Sequence, residues 1–193
     1  MAHRAGQKEE SRLKILWGAG RGFRRAGFGG SGVDGLAKEA GVTSGAFYAH
    51  FKSKAEAFRE VVFIGLEGLI HSVQTKREEL GSRWREAYID FYLGERRTCD
   101  LSESCALQSL SIEVARADDE ARSIYEEQLK IIIATVADGL EGKPKHRREE
   151  AMTLLALLVG GVTLARAVKD PALSYEIAQA VRKTAIKVGV QQP

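Results

Sequence analysis

Apolar residues recur at helical spacing along almost the whole chain, and no run alternates apolar and polar long enough to suggest a strand. The spacing predicts a first helix over 8–25, with Leu13, Leu16, Trp17 and Gly20 on one stripe. The run Gly27-Phe28-Gly29-Gly30-Ser31-Gly32 then breaks the pattern, since glycine weakens helix and permits positive φ. A short helix follows over 33–40 with Ser31 as its expected N-cap, then a turn at Gly41-Val42. Thr43 is placed to cap a second short helix through His50, and Ser53 a third that starts at Lys54.

Beyond that point the helices lengthen. The segment 55–80 carries Phe58, Val61, Val62, Leu66, Leu69, Ile70 and Val73 at core spacings. Further helices are predicted over 82–97, 102–117, 118–140, 149–168 and 172–188, with a polar loop over 141–148 and a stop at Asp170-Pro171. The fold class is therefore all-α, about nine helices, three short N-terminal ones preceding a bundle. The expected division is 1–54 as a helix-turn-helix domain and 55–193 as a helical bundle.

Composition narrows the class. At 193 residues and 44% hydrophobic the chain can bury a core, which excludes a disordered tail. The apolar stretch 151–165 falls short of the ~18–20 residues of a membrane span, and charged residues follow Met1 where a secretory signal would be apolar. A cytoplasmic protein without a membrane partner is expected. Charge is uneven: residues 1–60 carry a net +5 and the remainder a net −2. A basic first third suits phosphate binding, although a solvated basic face has the same arithmetic.

Catalytic and cofactor motifs are missing. Residues 27–32 satisfy G-x-G-x-x-G by letter, but a helix precedes them instead of a strand, and 50–54 read His-Phe-Lys-Ser-Lys where an acidic ribose ligand belongs. His3, His50, His71 and His146 stand apart, so no metal site is expected and no cofactor. Cys99 and Cys105 are too few for a disulfide scaffold and are expected as reduced thiols. Their place at the start of a helix leaves two readings open, an inert packed thiol or a redox or electrophile sensor.

The segment 33–51 is the informative one. Two short helices joined by a tight turn with Gly41 have the layout of a helix-turn-helix. In that unit the first helix braces and the second lies in the major groove. Leu36, Ala37, Ala40, Val42 and Phe47 can form its small core. The second helix then exposes Thr43, Ser44, Gly45, Ala46, Tyr48, Ala49 and His50, short or hydrogen-bonding groups that fit between duplex backbones.

With Gly27-Phe28, Ser31, Val33, Leu36-Ala37, Ala40-Gly41-Val42, Gly45, Phe47-Tyr48, His50-Phe51 and Ser53-Lys54, the stretch 10–60 resembles the DNA-binding signature of TetR-family transcriptional regulators. The resemblance implies a repressor-like homodimer that binds a near-palindromic operator in double-stranded DNA and releases it when a small effector binds. It implies DNA contacts from Ser31, Thr43, Ser44, Gly45, Ala46, Tyr48, His50, Lys52 and Lys54. Within that set Thr43 caps the recognition helix, Tyr48, His50 and Lys54 face phosphates, and Ser44 and Ala46 sit at base edges. Ser44 departs from the Lys or Arg often found there, so the operator sequence is not readable.

In the remainder, Trp84, Tyr88, Phe91 and Tyr92 lie on adjacent stripes of one helix, either plain core or, with Cys105, Gln108, Tyr125 and Gln128, the lining of a ligand pocket. The segment 149–168 is apolar on most faces, and Gly160-Gly161 lets another backbone approach. Leu154, Leu158, Gly161, Val162, Ile177, Val181 and Ala185 are the candidates for a two-helix face that pairs with its copy, the alternative being an internal core helix. The function expected is a ligand-responsive regulator. An all-helical enzyme or a protein-binding scaffold is the competing class, against which the basic head and the Tyr48/Lys54 array argue.

Overall fold

The structure, a computed structural model, describes residues 2–189, and these form helices and connecting turns with no strand among them. The helices are α1 (Ala2–Gly30), α2 (Val33–Glu39), α3 (Ser44–Tyr48), α4 (Lys54–Leu80), α5 (Trp84–Leu93), α6 (Glu95–Thr98), α7 (Ala106–Ala115), α8 (Asp119–Ala137), α9 (Pro144–Ala167) and α10 (Pro171–Ala185). Single 3-10 turns lie at Gly81–Arg83 and Leu101–Glu103. The all-α class read from the periodicity is thus borne out.

Two compact units result. The first comprises the residues up to Gly65 together with Leu101–Tyr125, and the second comprises Leu66–Asp100 together with the residues from Glu126 on. In the first, Ile15, Phe23, Leu36, Phe47, Phe51, Phe58 and Leu110 are almost wholly buried. Phe23 meets Phe58 edge-on at 5.2 Å, one of the geometries aromatic pairs prefer. Three glycines let helices touch in this unit: an added Cβ would lie 2.5 Å from Ala40 Cα at Gly18, 2.6 Å from Leu36 Cδ2 at Gly22 and 2.6 Å from Ala106 Cβ at Gly65. In the second unit Ile89, Ile132, Leu154, Leu158 and Val162 make the core, and the Arg182 guanidinium of α10 bonds both Asp90 and Glu86 of α5.

Several boundaries differ from those the pattern predicts, each for a local reason. α1 continues to Gly30 but leaves helical geometry at Gly27 (φ 72°, ψ 173°). Ser31 does not cap α2. The N-cap is Gly32, without a side-chain bond, and the buried Ser31 hydroxyl donates to the Gly22 carbonyl at 3.2 Å. The helix predicted over 82–97 is interrupted at Gly94, and that over 102–117 begins as a 3-10 turn before Cys105. The polar stretch 141–148 is mostly helix, because Pro144 opens α9 at its first turn, where a missing N–H costs nothing. With that extension, α9 is by length and composition the one helix among the described residues that could cross a membrane. Ala151, Leu154, Leu155, Leu158, Gly161, Val162 and Ala165 are nonetheless buried inside the second unit, as in a core helix.

Candidate nucleic-acid interface

α2 has seven residues and α3 five, too few to be stable alone. Their geometry is imposed by turns and caps. α2 ends at Glu39, Ala40 caps it, and Gly41 turns with φ 70°, a conformation that side chains disfavour. Thr43 then caps α3, its Oγ1 accepting the Ala46 N–H at 3.2 Å. Phe47 points inward, wholly buried, its ring 5.4 Å from that of Phe51, while its neighbour Tyr48 is 55% exposed. α4 opens with its own cap, Ser53 Oγ accepting the Glu56 N–H at 3.1 Å. The Glu56 carboxylate in turn accepts the Lys52 N–H at 2.6 Å.

The residues of the implied DNA-contact set divide by what they already do. Thr43, Gly45, Tyr48 and Lys52 are exposed, and Ala46 is half-buried between them. The Ser44 hydroxyl donates to Asp34 of α2, a partner that sequence spacing did not single out. Lys54 is half-buried: its Nζ donates to the carbonyls of Phe28 at 2.9 Å and Ser31 at 3.1 Å and lies 4.2 Å from the Phe28 ring centroid. This places a cation on the carbonyl end of α1, where it is electrostatically favoured, and leaves one of three ammonium protons for another acceptor. His50 is half-buried, with Nδ1 sequestered and bonded to nothing among the described residues. Ser31 faces inward, as noted.

Arg21 and Arg25 of α1 are committed to fixing α2. Each lies 3.1 Å from the Glu39 carboxylate, and Arg21 also reaches the Glu39 carbonyl at 2.8 Å. The hydrogen bond from Arg21, followed by the charge and hydrogen bond of Arg25, holds the Glu39 carboxyl below the usual carboxylate range. Arg24 donates to the Ser102 carbonyl at 2.7 Å, and Glu113 of α7 accepts the Phe28 N–H at 2.9 Å. These long-range partners carry no local sequence signal, being 78 and 85 residues away.

The candidate ligand residues fall into two groups. In the second unit, Trp84, Tyr88 and Tyr92 are buried on α5 with Tyr88 in ring contact with both others; Phe91 is half-buried, flanked by Lys76 and Arg96 at 4.7 and 5.1 Å. Gln128 is buried on α8. In the first unit, Cys105 and Gln108 lie half-buried at the start of α7, and Tyr125 shares a 2.7 Å hydrogen bond with Ser111. Burial, more than that bond offsets, raises the Tyr125 phenol above its ordinary value. Neither cysteine is in a disulfide; Cys99 Sγ lies 3.1 Å from an Arg166 nitrogen. A cavity of about 560 Å³ in the second unit is lined by Trp84 with Arg77, Glu78, Arg85 and Glu141, and one of about 570 Å³ in the first by Phe28, Phe58, Glu113 and Arg116. No cluster of three or more His, Cys, Asp or Glu suited to a metal occurs among the described residues.

Of the candidate dimer residues, Leu154, Leu158, Gly161, Val162 and Ala185 are buried within the single chain, and Ile177 and Val181 are half-buried. Gly161 faces Val181, where an added Cβ would lie 2.9 Å from Cγ2. α9 and α10 pack on each other, with this close approach between them. Exposed on the same two helices are Met152, Ala156, Gly160 and Leu164 on α9 and Leu173 and Tyr175 on α10.

A Thr-capped short helix braced by a second across a glycine turn defines a helix-turn-helix protein. Residues 15–61 match the model of the N-terminal domain of bacterial regulatory proteins of the tetR family. Among solved structures the chain is similar to E. coli NemR in its reduced form (TM-score 0.79, 19% identity, covering 95% of this chain and 98% of that one). It is similar also to a TetR-family transcriptional regulator of Agrobacterium tumefaciens (0.78, 15%, covering 95% and 100%) and to one of Cytophaga hutchinsonii (0.78, 17%, covering 96% and 98%). No curated protein matches it by sequence. The resemblance read from the signature residues is borne out: residues 15–61 carry the TetR-family N-terminal domain, and the chain takes the fold of TetR-family transcriptional regulators.

Proposed function

We propose that the chain is a ligand-responsive transcriptional repressor, a cytoplasmic homodimer without catalytic activity that binds a near-palindromic operator and leaves it when a small-molecule effector binds. The observation that carries this reading is α3 itself. Thr43 caps it, Phe47 anchors it, and its outward positions at Gly45 and Ala46 are small enough to admit it to a major groove, with the Tyr48 phenol exposed beside them. Residues 1–54 act as the DNA-binding domain. Thr43, Tyr48, His50, Lys52 and the third ammonium proton of Lys54 contact phosphates; Ser44, Gly45 and Ala46 approach base edges, and Ser31 supports the turn from within. Residues 55–193 bind effector and dimerise. A modest-sized, partly aromatic compound is received either by Trp84, Tyr88, Phe91, Tyr92 and Gln128 of the second unit or by Cys105, Gln108 and Tyr125 of the first. The seam of Leu154, Leu158, Gly161, Val162, Ile177, Val181 and Ala185 sets the α9–α10 face that meets its copy. A two-fold dimer gives two recognition helices at half-sites one or more DNA turns apart.

The test is selection of duplexes from a random-sequence pool by the full-length protein, followed by binding of the enriched duplex at several salt concentrations. Expected are two-fold-related half-sites, two chains per duplex, and an affinity falling steeply with salt. Enrichment of no sequence, together with salt-insensitive binding, would favour the enzyme or scaffold class.

A further inference from the structure

We propose that Glu113, far from the recognition helix in sequence, is a positioning residue for DNA binding: its carboxylate fixes the exit of α1 and so the placement of α2 and α3. This inference rests on the DNA-binding reading above. The helix break at Gly27 frees the Phe28 N–H from the α1 ladder, and a freed N–H needs an acceptor. Glu113 Oε2 supplies it at 2.9 Å, a charge-assisted bond of the stronger kind. The fit depends on glycine twice. Gly27 takes φ 72°, and a Cβ there would come within 3.1 Å of Glu113 Oε1.

The acceptors of the same linker go to a cation. Lys54 Nζ holds the Phe28 and Ser31 carbonyls, so an anion from α7 and a cation from α4 together clamp the stretch 28–31 that leads from the break to α2. Local sequence does not hold them. Gly29, Gly30 and Gly32 each widen the conformations open to the linker, and Gly32 caps α2 without a side-chain bond. Removing the carboxylate therefore leaves α2 and α3 folded and still tied to α1 through Glu39, but loosens the backbone at Phe28 that sets their angle, and DNA must then reorder it on binding. Cys105 is the N-cap of α7 and Gln108 lies on it, so an effector that shifts this helix acts on the same bond.

The experiment compares wild type, Glu113→Ala, Glu113→Gln and Glu113→Asp on the duplex enriched by the wild-type protein. Glutamine keeps an acceptor oxygen at the same reach; aspartate is one methylene short. Glu113→Ala and Glu113→Asp are expected to weaken binding about tenfold or more, the scale of one charge-assisted hydrogen bond, with the salt slope unchanged because no phosphate contact is lost. Glu113→Gln is expected to recover most of the affinity. Amide exchange at Phe28 should quicken in the alanine and aspartate variants and stay near wild type in the glutamine variant, with sedimentation unaltered. If alanine fails to fold, the aspartate and glutamine pair decides. Binding within twofold of wild type by Glu113→Asp, or a glutamine variant as weak as aspartate, overturns the proposal. A wild-type protein that enriches no duplex overturns the DNA reading, and the proposal with it.

Discussion

The pair α2–α3 and the pair α9–α10 meet the same problem, fixing two helices against each other, by opposite means. α9 and α10, of 24 and 15 residues, pack on each other where Gly161 admits Val181, and together bury Leu154, Leu158, Val162, Ala178 and Ala185. α2 and α3 together bury little more than Leu36, Ala37 and Phe47. They depend on directional features: the Gly41 turn, the Thr43 cap, the Ser44–Asp34 bond and the Glu39 fork to Arg21 and Arg25. The lesson is that a recognition unit can keep a polar, small-residue face outward only if a few groups hold it from behind. A pairing face can rely on area alone.

The largest effect is expected from Phe47→Ala. It is expected to cost ~3–5 kcal/mol, and hydrogen exchange should show that loss in α2 and α3 while α9 and α10 keep their protection. Equal loss in both pairs would contradict the division. Leu158→Ala should cost ~2–5 kcal/mol and lower the melting temperature of the second unit, since its side chain is 1% exposed. Gly161→Val should overpack the seam by ~1–3 kcal/mol, and adding Val181→Ala should restore part of it, as a double-mutant cycle would measure. Thr43→Ala should remove about 1 kcal/mol of helix capping from α3, with Thr43→Ser close to wild type by thermal melts.

The smallest effect concerns pH. Because Arg21 and Arg25 hold the Glu39 carboxyl low in the folded head, its contribution is present above the unfolded value and fades as pH falls through the folded one. Exchange at α2 amides in wild type should therefore quicken on acidification below the ordinary glutamate range. In Glu39→Gln that added acid sensitivity should be missing.

The same contrast explains what the sequence made legible. The Gly41 turn, the Thr43 cap and the inward Phe47 are local signals, so α3 could be read to within two residues of its end. The seam residues on α9 were legible as apolar, but which faced α10 and which faced solvent was not: burial of Leu158 and exposure of Leu164 follow from packing, not composition. The start of α9 was hidden by the charge density of 143–150, although Pro144 marked it. Ser31 had the right residue type for a cap and the wrong direction, because Gly22 offered its hydroxyl a buried acceptor. Glu113 had no signal at all; it matters only through a backbone N–H that the Gly27 break exposes.

Methylation interference on the enriched duplex reports which groove α3 enters. Methyl groups on guanine N7, in the major groove, are expected to block binding in two patches one or more helical turns apart. Interference confined to adenine N3 in the minor groove, or none at either atom, would contradict major-groove entry.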